Sequence, residues 1–434
     1  VAAALAGGLL AGPAAGVATA ADPRCLTPPT PDPVVAEPSW VQPLYDAPGR
    51  LWPFSRGAGT TVAVLDTGVD RTHPQLGGRV LGGADPAAAS PSGDYDCAGH
   101  GTALAGVVAG ARLPEVGSYG LAPDARVLPV HLADQPSTAP SGTGVPPAVV
   151  AAGVDVAVAG GASVVLVGVV LYRDDPGLAA AVQRAVAAGV VVVAPVGDGH
   201  VADRDGDGPT TAELTPYPAA YPGVLGVGAV GQAGARSPFS QVGGYVDLVA
   251  PGEDVLAAGV GGQRGVEGTA VAAAVVAASA ALVLAPADGP AALPPDRRVA
   301  AVADLLTATA TPAAGSRDAF GAGLVDPHRA LTEPRTDAAP ASLPPYEPPP
   351  ADPAAEARAA QQERTDSLAL RLTLGAGGAA LLGLAALRLL PRARRRGWRS
   401  GTARIRTGST EPAPEFLPGE ALFTRPGDDP ARRV

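Results

Sequence analysis

Six short apolar runs, at 61–66, 126–132, 163–170, 189–196, 224–230 and 245–250, constrain this chain more than any other feature. They are rich in Val and lack the polar alternation of a half-buried strand, as in Val164-Val165-Leu166-Val167 and Val190-Val191-Val192-Val193. A strand that is apolar on both faces must be covered on both faces, which is the condition of a parallel sheet between layers of helices. Helical patterns near 100–111, 146–159, 176–188, 268–285 and 297–309 supply those layers. Strand and helix alternating at these intervals form crossover units, so the spacing predicts an α/β domain with a mostly parallel sheet.

Open α/β sheets place their chemistry at the carboxyl ends of strands. The first run ends in Asp66-Thr67-Gly68. The next helical pattern opens with Cys97-Ala98-Gly99-His100-Gly101-Thr102, where His100 stands between two glycines with its ring free to turn outward. A histidine works as a base only when another group orients it, and Asp66 is the upstream carboxylate suited to that task. Singly, a Gly-His-Gly is more often a turn and an Asp-Thr-Gly a strand end. In this order they point to an aspartate–histidine pair.

The ends of the chain read as targeting and anchoring segments. Residues 2–17 are apolar and small, and Ala18-Thr19-Ala20 before Ala21-Asp22 has the form of a cleavage site. Residues 1–21 are thus expected to be a signal peptide, against the alternative of an Ala-rich leader. An exported chain meets oxidising conditions, so Cys25 and Cys97 are expected to form one disulfide, two unpaired thiols being the alternative. The segment 22–59 is Pro-rich, carries Trp40 and Trp52, and reads as an extension wrapped over the domain at 60–332. Eight prolines between Pro334 and Pro353 mark a stiff linker over 333–367. Residues 368–390 form an apolar stretch with arginines at its edges, Arg371 and Arg388, which reads as a transmembrane helix. The basic tail 391–434 begins with Arg392, Arg394, Arg395, Arg396 and Arg399, which assigns it to the cytoplasm and the domain to the outside. The net charge is −10 over 434 residues, although the part from Arg388 onward holds 11 Arg against five acids. An acidic body with a basic tail argues against a nucleic-acid partner and for a membrane-proximal tail.

Taken together, the motifs resemble those of a known family. Asp66-Thr67-Gly68, Gly99-His100-Gly101-Thr102, Gly120-Leu121-Ala122-Pro123-Asp124-Ala125 and Val246-Asp247-Leu248-Val249-Ala250-Pro251-Gly252 are similar to the motif series of subtilisin-type serine proteases, in the same order. With the signal peptide, the Pro-rich extension and the single C-terminal anchor, the chain resembles the mycosins, membrane-anchored subtilases of type VII secretion systems. The resemblance implies a subtilisin-like three-layer fold with a mostly parallel central sheet, plus one C-terminal transmembrane helix. It also implies that Asp66 orients His100 and that His100 is the general base.

The nucleophile is where this chain departs from the pattern. The family's Gly-Thr-Ser is here Gly268-Thr269-Ala270, and an alanine methyl has no proton to give up and no lone pair with which to attack. The Asn expected to donate to the oxyanion is replaced in Ala194-Pro195-Val196-Gly197-Asp198 by Asp198, whose ionised form repels the charge it should stabilise. The substrate-edge run Val164–Val169 also lacks polar residues. The sequence therefore predicts a pseudoprotease that binds components of a type VII secretion membrane complex. An active endopeptidase and a surface module holding an uncleaved peptide in the cleft are the alternatives. No cofactor is required. A weak calcium-loop pattern at Asp203, Asp205 and Asp207 lacks its closing Glu, with Leu214 at the twelfth position, and reads as a solvated acidic loop.

Overall fold

Strand β1, Thr61–Asp66, is buried along its whole length, and its two faces belong to two different cores. Val62 and Val64 join the core built with Leu104, Val108, Val275 and Leu282. Ala63 and Leu65 join the one built with Val150, Val154, Leu178 and Val182. This double burial is why the run carries no polar alternation. The computed structural model describes Cys25, residues 30–135, 144–199 and 214–333, and scattered positions between 361 and 397. The expected signal peptide, the calcium-loop residues Asp203, Asp205 and Asp207, and most of the expected membrane helix at 368–390 lie outside the described residues.

The order of elements is α1 (Val41–Tyr45), β1, α2 (His100–Ala109), β2 (Arg126–His131), α3 (Pro147–Ala159), β3 (Val164–Val167), α4 (Pro176–Ala187), β4 (Val191–Pro195), β5 (Val224–Val230), β6 (Leu248–Pro251), β7 (Val255–Ala258), β8 (Gln263–Val266), α5 (Thr269–Leu284), α6 (Pro295–Ala308), α7 (Arg317–Phe320) and α8 (Pro327–Thr332). Six strands form one sheet in the order β2-β1-β3-β4-β5-β6. Every neighbouring pair in it is parallel, with Asp66 beside His131, Val62 beside Val164 and Val227 beside Leu248. Helices α2 and α5 cover one face, α3 and α4 the other. All 16 residues of α5 are buried, so it has no polar stripe and is built mainly from Ala and Val, small enough to sit at the centre of the domain. The α/β sheet expected from the sequence is thus the sheet observed.

Two features differ from the sequence reading. Strands β7 and β8 form an antiparallel hairpin, Val255 opposite Val266, whose short arms around Gly259-Val260-Gly261-Gly262 resemble a loop in sequence. The Pro-rich extension is more than a covering strap. Val41, Tyr45, Ala47 and Leu51 are buried in the α2/α5 core. Ser55 Oγ donates to the Leu282 carbonyl, Trp40 Nε1 to that of Glu253 and Trp52 Nε1 to that of Leu121. The disulfide Cys25–Cys97 ties this segment to the residue three before His100, with a Cα–Cα distance of 5.4 Å.

By chain contacts the unit Val1–Asp337 is separate from Ala338–Val434. In the second unit the described positions 387–391 are helical, and Leu384, Leu387, Leu389 and Leu390 are exposed. Among the described residues, no helix is long and apolar enough to cross a membrane.

Candidate active site

The carboxyl end of β1 delivers Asp66 into the interior, 1% exposed. Its Oδ1 accepts the Thr67 N–H at 2.7 Å and lies 2.7 Å from His100 Nδ1. His100 is the first residue of α2, and the approach depends on glycines on both sides. A Cβ at Gly101 would lie 2.0 Å from the Gly68 carbonyl oxygen, and one at Gly68 would lie 1.9 Å from that of Tyr95. Only a residue without a side chain lets the end of β1 and the start of α2 come this close.

Asp96 holds the helix start, and the sequence reading missed it. Its buried carboxylate accepts the N–H groups of Ala98, Gly99 and Thr102 and the hydroxyls of Thr67 and Thr102, at 2.7–3.0 Å. The available signal was an aspartate just ahead of a small-residue helix that has no side-chain cap of its own. Burial pushes the Asp96 carboxyl up, against these donors, which favour its ionised form.

Ala270 is buried in the first turn of α5. The helix has no cap from Gly268, whose φ is 134°, and Asp198 takes over from a distance of 71 residues in sequence. Asp198 Oδ1 accepts both the N–H and the hydroxyl of Thr269 at 2.8 Å, while Thr269 Oγ1 accepts the Gly197 N–H at 3.1 Å. The loop after β4 and the start of α5 are thereby joined in both directions. A carboxylate at a helix N-terminus is favoured by the helix dipole and by the unpaired N–H groups there. Asp198 is thus a long-range helix cap, which the sequence did not reveal. Tyr172 and Gln241 crowd Gly197 in front of it. A Cβ there would lie 2.2 Å from Gln241 Oε1 and 2.3 Å from Tyr172 Oη. Burial, then Asp198 and Tyr245, push the Tyr172 phenol above its ordinary value.

Burial alone lowers the His100 pKa, but Asp66, its hydrogen bond, Asp96 and Asp198 outweigh it and leave the imidazole above its ordinary value. A general base must be unprotonated at the working pH, and these carboxylates favour imidazolium. The structure therefore brings Asp66 and His100 into contact and sets Asp198 against the helix that carries Ala270. It offers no hydroxyl at position 270. Among the described residues no group of three or more His, Cys, Asp or Glu could hold a metal ion.

This fold, with Asp66 at a strand end paired to His100 at the start of a helix, agrees with what similarity to known proteins gives. The subtilase family model matches residues 57–323. The major intracellular serine protease of Bacillus subtilis is 35% identical over 232 residues, 52% of this chain and 69% of that protein. Mycosin-1 of Mycobacterium tuberculosis is 33% identical over 375 residues, 75% of this chain and 81% of that protein. Among solved structures, MycP1 with its N-terminal propeptide removed aligns with a TM-score of 0.59 at 30% identity, covering 69% of this chain and 100% of that one. The MycP3 protease from the type VII (ESX-3) secretion system aligns at 0.56 and 32%, covering 72% and 99%. The chain belongs to the subtilase family. Within that family it is a mycosin-like, subtilisin-type protein.

Proposed function

We propose that this chain is a catalytically inactive, membrane-anchored mycosin homologue that acts as a structural, partner-binding component of a type VII secretion system. Ala270 carries the reading: the nucleophile position has no oxygen, and the one neighbouring hydroxyl, on Thr269, is engaged with Asp198 and the Gly197 N–H, so no acyl-enzyme can form at position 270. Asp198 reinforces it, because a carboxylate bonded to Thr269 has no donor for a developing oxyanion. The secretion role rests on similarity to MycP1 and MycP3, proteins of ESX-type systems. In this reading 1–21 is removed on export, 333–367 is a linker, 368–390 is the anchor and 391–434 is cytoplasmic. The exposed Leu384, Leu387, Leu389 and Leu390, each on helical backbone, and the arginines that follow support the anchor.

One observation favours the second reading, an active endopeptidase that processes secreted substrates: the Asp66–His100 contact is intact at 2.7 Å. That contact is also a buried ion pair worth keeping for the fold alone. Below the unfolded histidine value of about 6.5 its contribution to stability is complete, and it is lost as pH rises through the raised folded value. The deciding experiment is affinity purification of the detergent-solubilised full-length protein. Secretion membrane components are expected to co-purify in stable stoichiometry. Recovery of the chain alone, or only with cleaved secreted substrates, would contradict the scaffold.

A further inference from the structure

His73 stands at the start of a short turn, Pro74–Leu76, and is 1% exposed. Its Nε2 lies 3.0 Å from the Gly262 carbonyl oxygen, and its Nδ1 accepts the Gln75 N–H at 3.2 Å. A carbonyl only accepts and an amide N–H only donates, so the ring is satisfied in one neutral tautomer, with hydrogen on Nε2 and the lone pair on Nδ1. A second proton would set Nδ1–H against the Gln75 N–H, donor against donor.

Gly262 lies in the β7–β8 turn, and that turn is the seat of the N-terminal extension. The Asp32 N–H donates to the Val260 carbonyl at 2.8 Å, and Asp32 Oδ2 accepts the Val260 N–H at 2.7 Å. The Gln263 N–H donates to the Pro33 carbonyl at 2.8 Å, and Gln263 Oε1 accepts the Val35 N–H at 3.0 Å. Gln263 Nε2 reaches the buried Gln75 Oε1 at 3.2 Å. A Cβ at Gly262 would lie 2.1 Å from the Asp32 carbonyl oxygen, so the two backbones are in close contact. On its far side the hairpin holds the histidine loop of the active site: Arg264 pairs with Asp32 at 3.1 Å and donates to the Ala98 carbonyl at 2.9 Å.

The geometry points to His73 as an acid-sensitive latch, whose protonation loosens the β7–β8 turn and the extension strand 32–35 seated on it, while the Cys25–Cys97 bond keeps the extension tethered. The charged groups facing the latch are Asp70 on its own loop, Asp32 on the extension and Arg264 on the hairpin, which is paired with Asp32. Burial lowers the His73 pKa and outweighs the raising effects of the Gly262 hydrogen bond, Asp70 and Asp32. The sign follows from linkage. A histidine buried neutral costs no stability above its unfolded value of about 6.5, and the seat weakens as pH falls toward the lowered folded value. This is opposite to His100, whose contribution fades as pH rises.

Amide hydrogen exchange of the full-length protein between about pH 7.5 and 5, expressed as protection factors, tests the latch; the window stays above ordinary carboxylate values. Protection at Asp32, Val35 and Gln263 is expected to fall by up to about tenfold per pH unit below about 6.5, as release of one latch by one proton requires. The strands β1, β3 and β4 should show no such slope. His73→Gln keeps a donor for Gly262 and does not titrate, so its profile is expected to be flat. His73→Asn, which keeps the acceptor for Gln75, serves the same purpose should the first variant not fold. Both variants leave Asp32 and Asp70 in place. A slope that persists in either variant, or a flat wild-type profile, would overturn the proposal.

Discussion

Ala270→Ser alone is expected to leave the protein without appreciable peptide turnover, whereas Ala270→Ser combined with Asp198→Asn should recover activity. The single change restores an oxygen but not the conditions for using it. In subtilisins, loss of the serine costs about 10⁶ in turnover and loss of the oxyanion Asn about 10²–10³. Here Asp198 stands in place of that Asn. Its carboxylate, bonded to the Thr269 N–H and hydroxyl beside position 270, has no donor to offer a developing oxyanion. Asparagine removes this obstacle at small structural cost. Its Oδ1 can still accept the Thr269 N–H and cap α5, while its amide supplies donors where a carboxylate oxygen was. The double variant should exceed the single one by about 10²–10³. Fluorophosphonate labelling and peptide hydrolysis read both. Comparable turnover by the single and double variants at neutral pH would show that Asp198 does not govern the site.

Breaking the Cys25–Cys97 bond should have the largest effect on stability. The bond closes a loop of sequence separation 72, for which the chain-entropy treatment gives about 4 kcal/mol. For a domain of this size that is a fall in Tm of roughly 6 °C. The native fold should survive, because Val41, Tyr45 and Leu51 remain anchored in the core and the hydrogen bonds of Trp40, Trp52 and Ser55 do not depend on the bond. Thermal unfolding of Cys25→Ser and Cys97→Ser at matched buffer conditions tests this. A shift below about 1 °C would mean that the extension is already held as firmly without the covalent tie.

The sequence made the sheet legible because double burial removes polar residues from a strand, and runs such as 191–195 have no competing reading. It made Asp66, His100, Ala270 and Asp198 legible because each stands in a short motif. Asp96 caps α2 through the Cys97-Ala98-Gly99 turn, a local pattern that stands outside any motif, whereas Asp198 caps α5 across 71 residues, a bond that no local pattern encodes. The extension escaped for a different reason. Its prolines suggest an open strand, yet Pro48 lies within a short π-helical turn, Ala47–Leu51, that buries Leu51 in the α2/α5 core. Hairpin β7–β8 was hidden by its glycines, which permit the close approach of the Asp32 backbone but carry no β-propensity.

In the proposed function, surface and anchor carry the role rather than chemistry. Secretion of a type VII substrate, measured at matched protein levels in cells carrying His100→Ala or a deletion of 368–390, tests it most directly. Near-wild-type secretion is expected with His100→Ala, since the ring has no nucleophile to activate, and loss of secretion with the deletion, since a scaffold released from the membrane cannot hold its partners. Loss of secretion by a stably folded His100→Ala protein would contradict this role and return the function to catalysis.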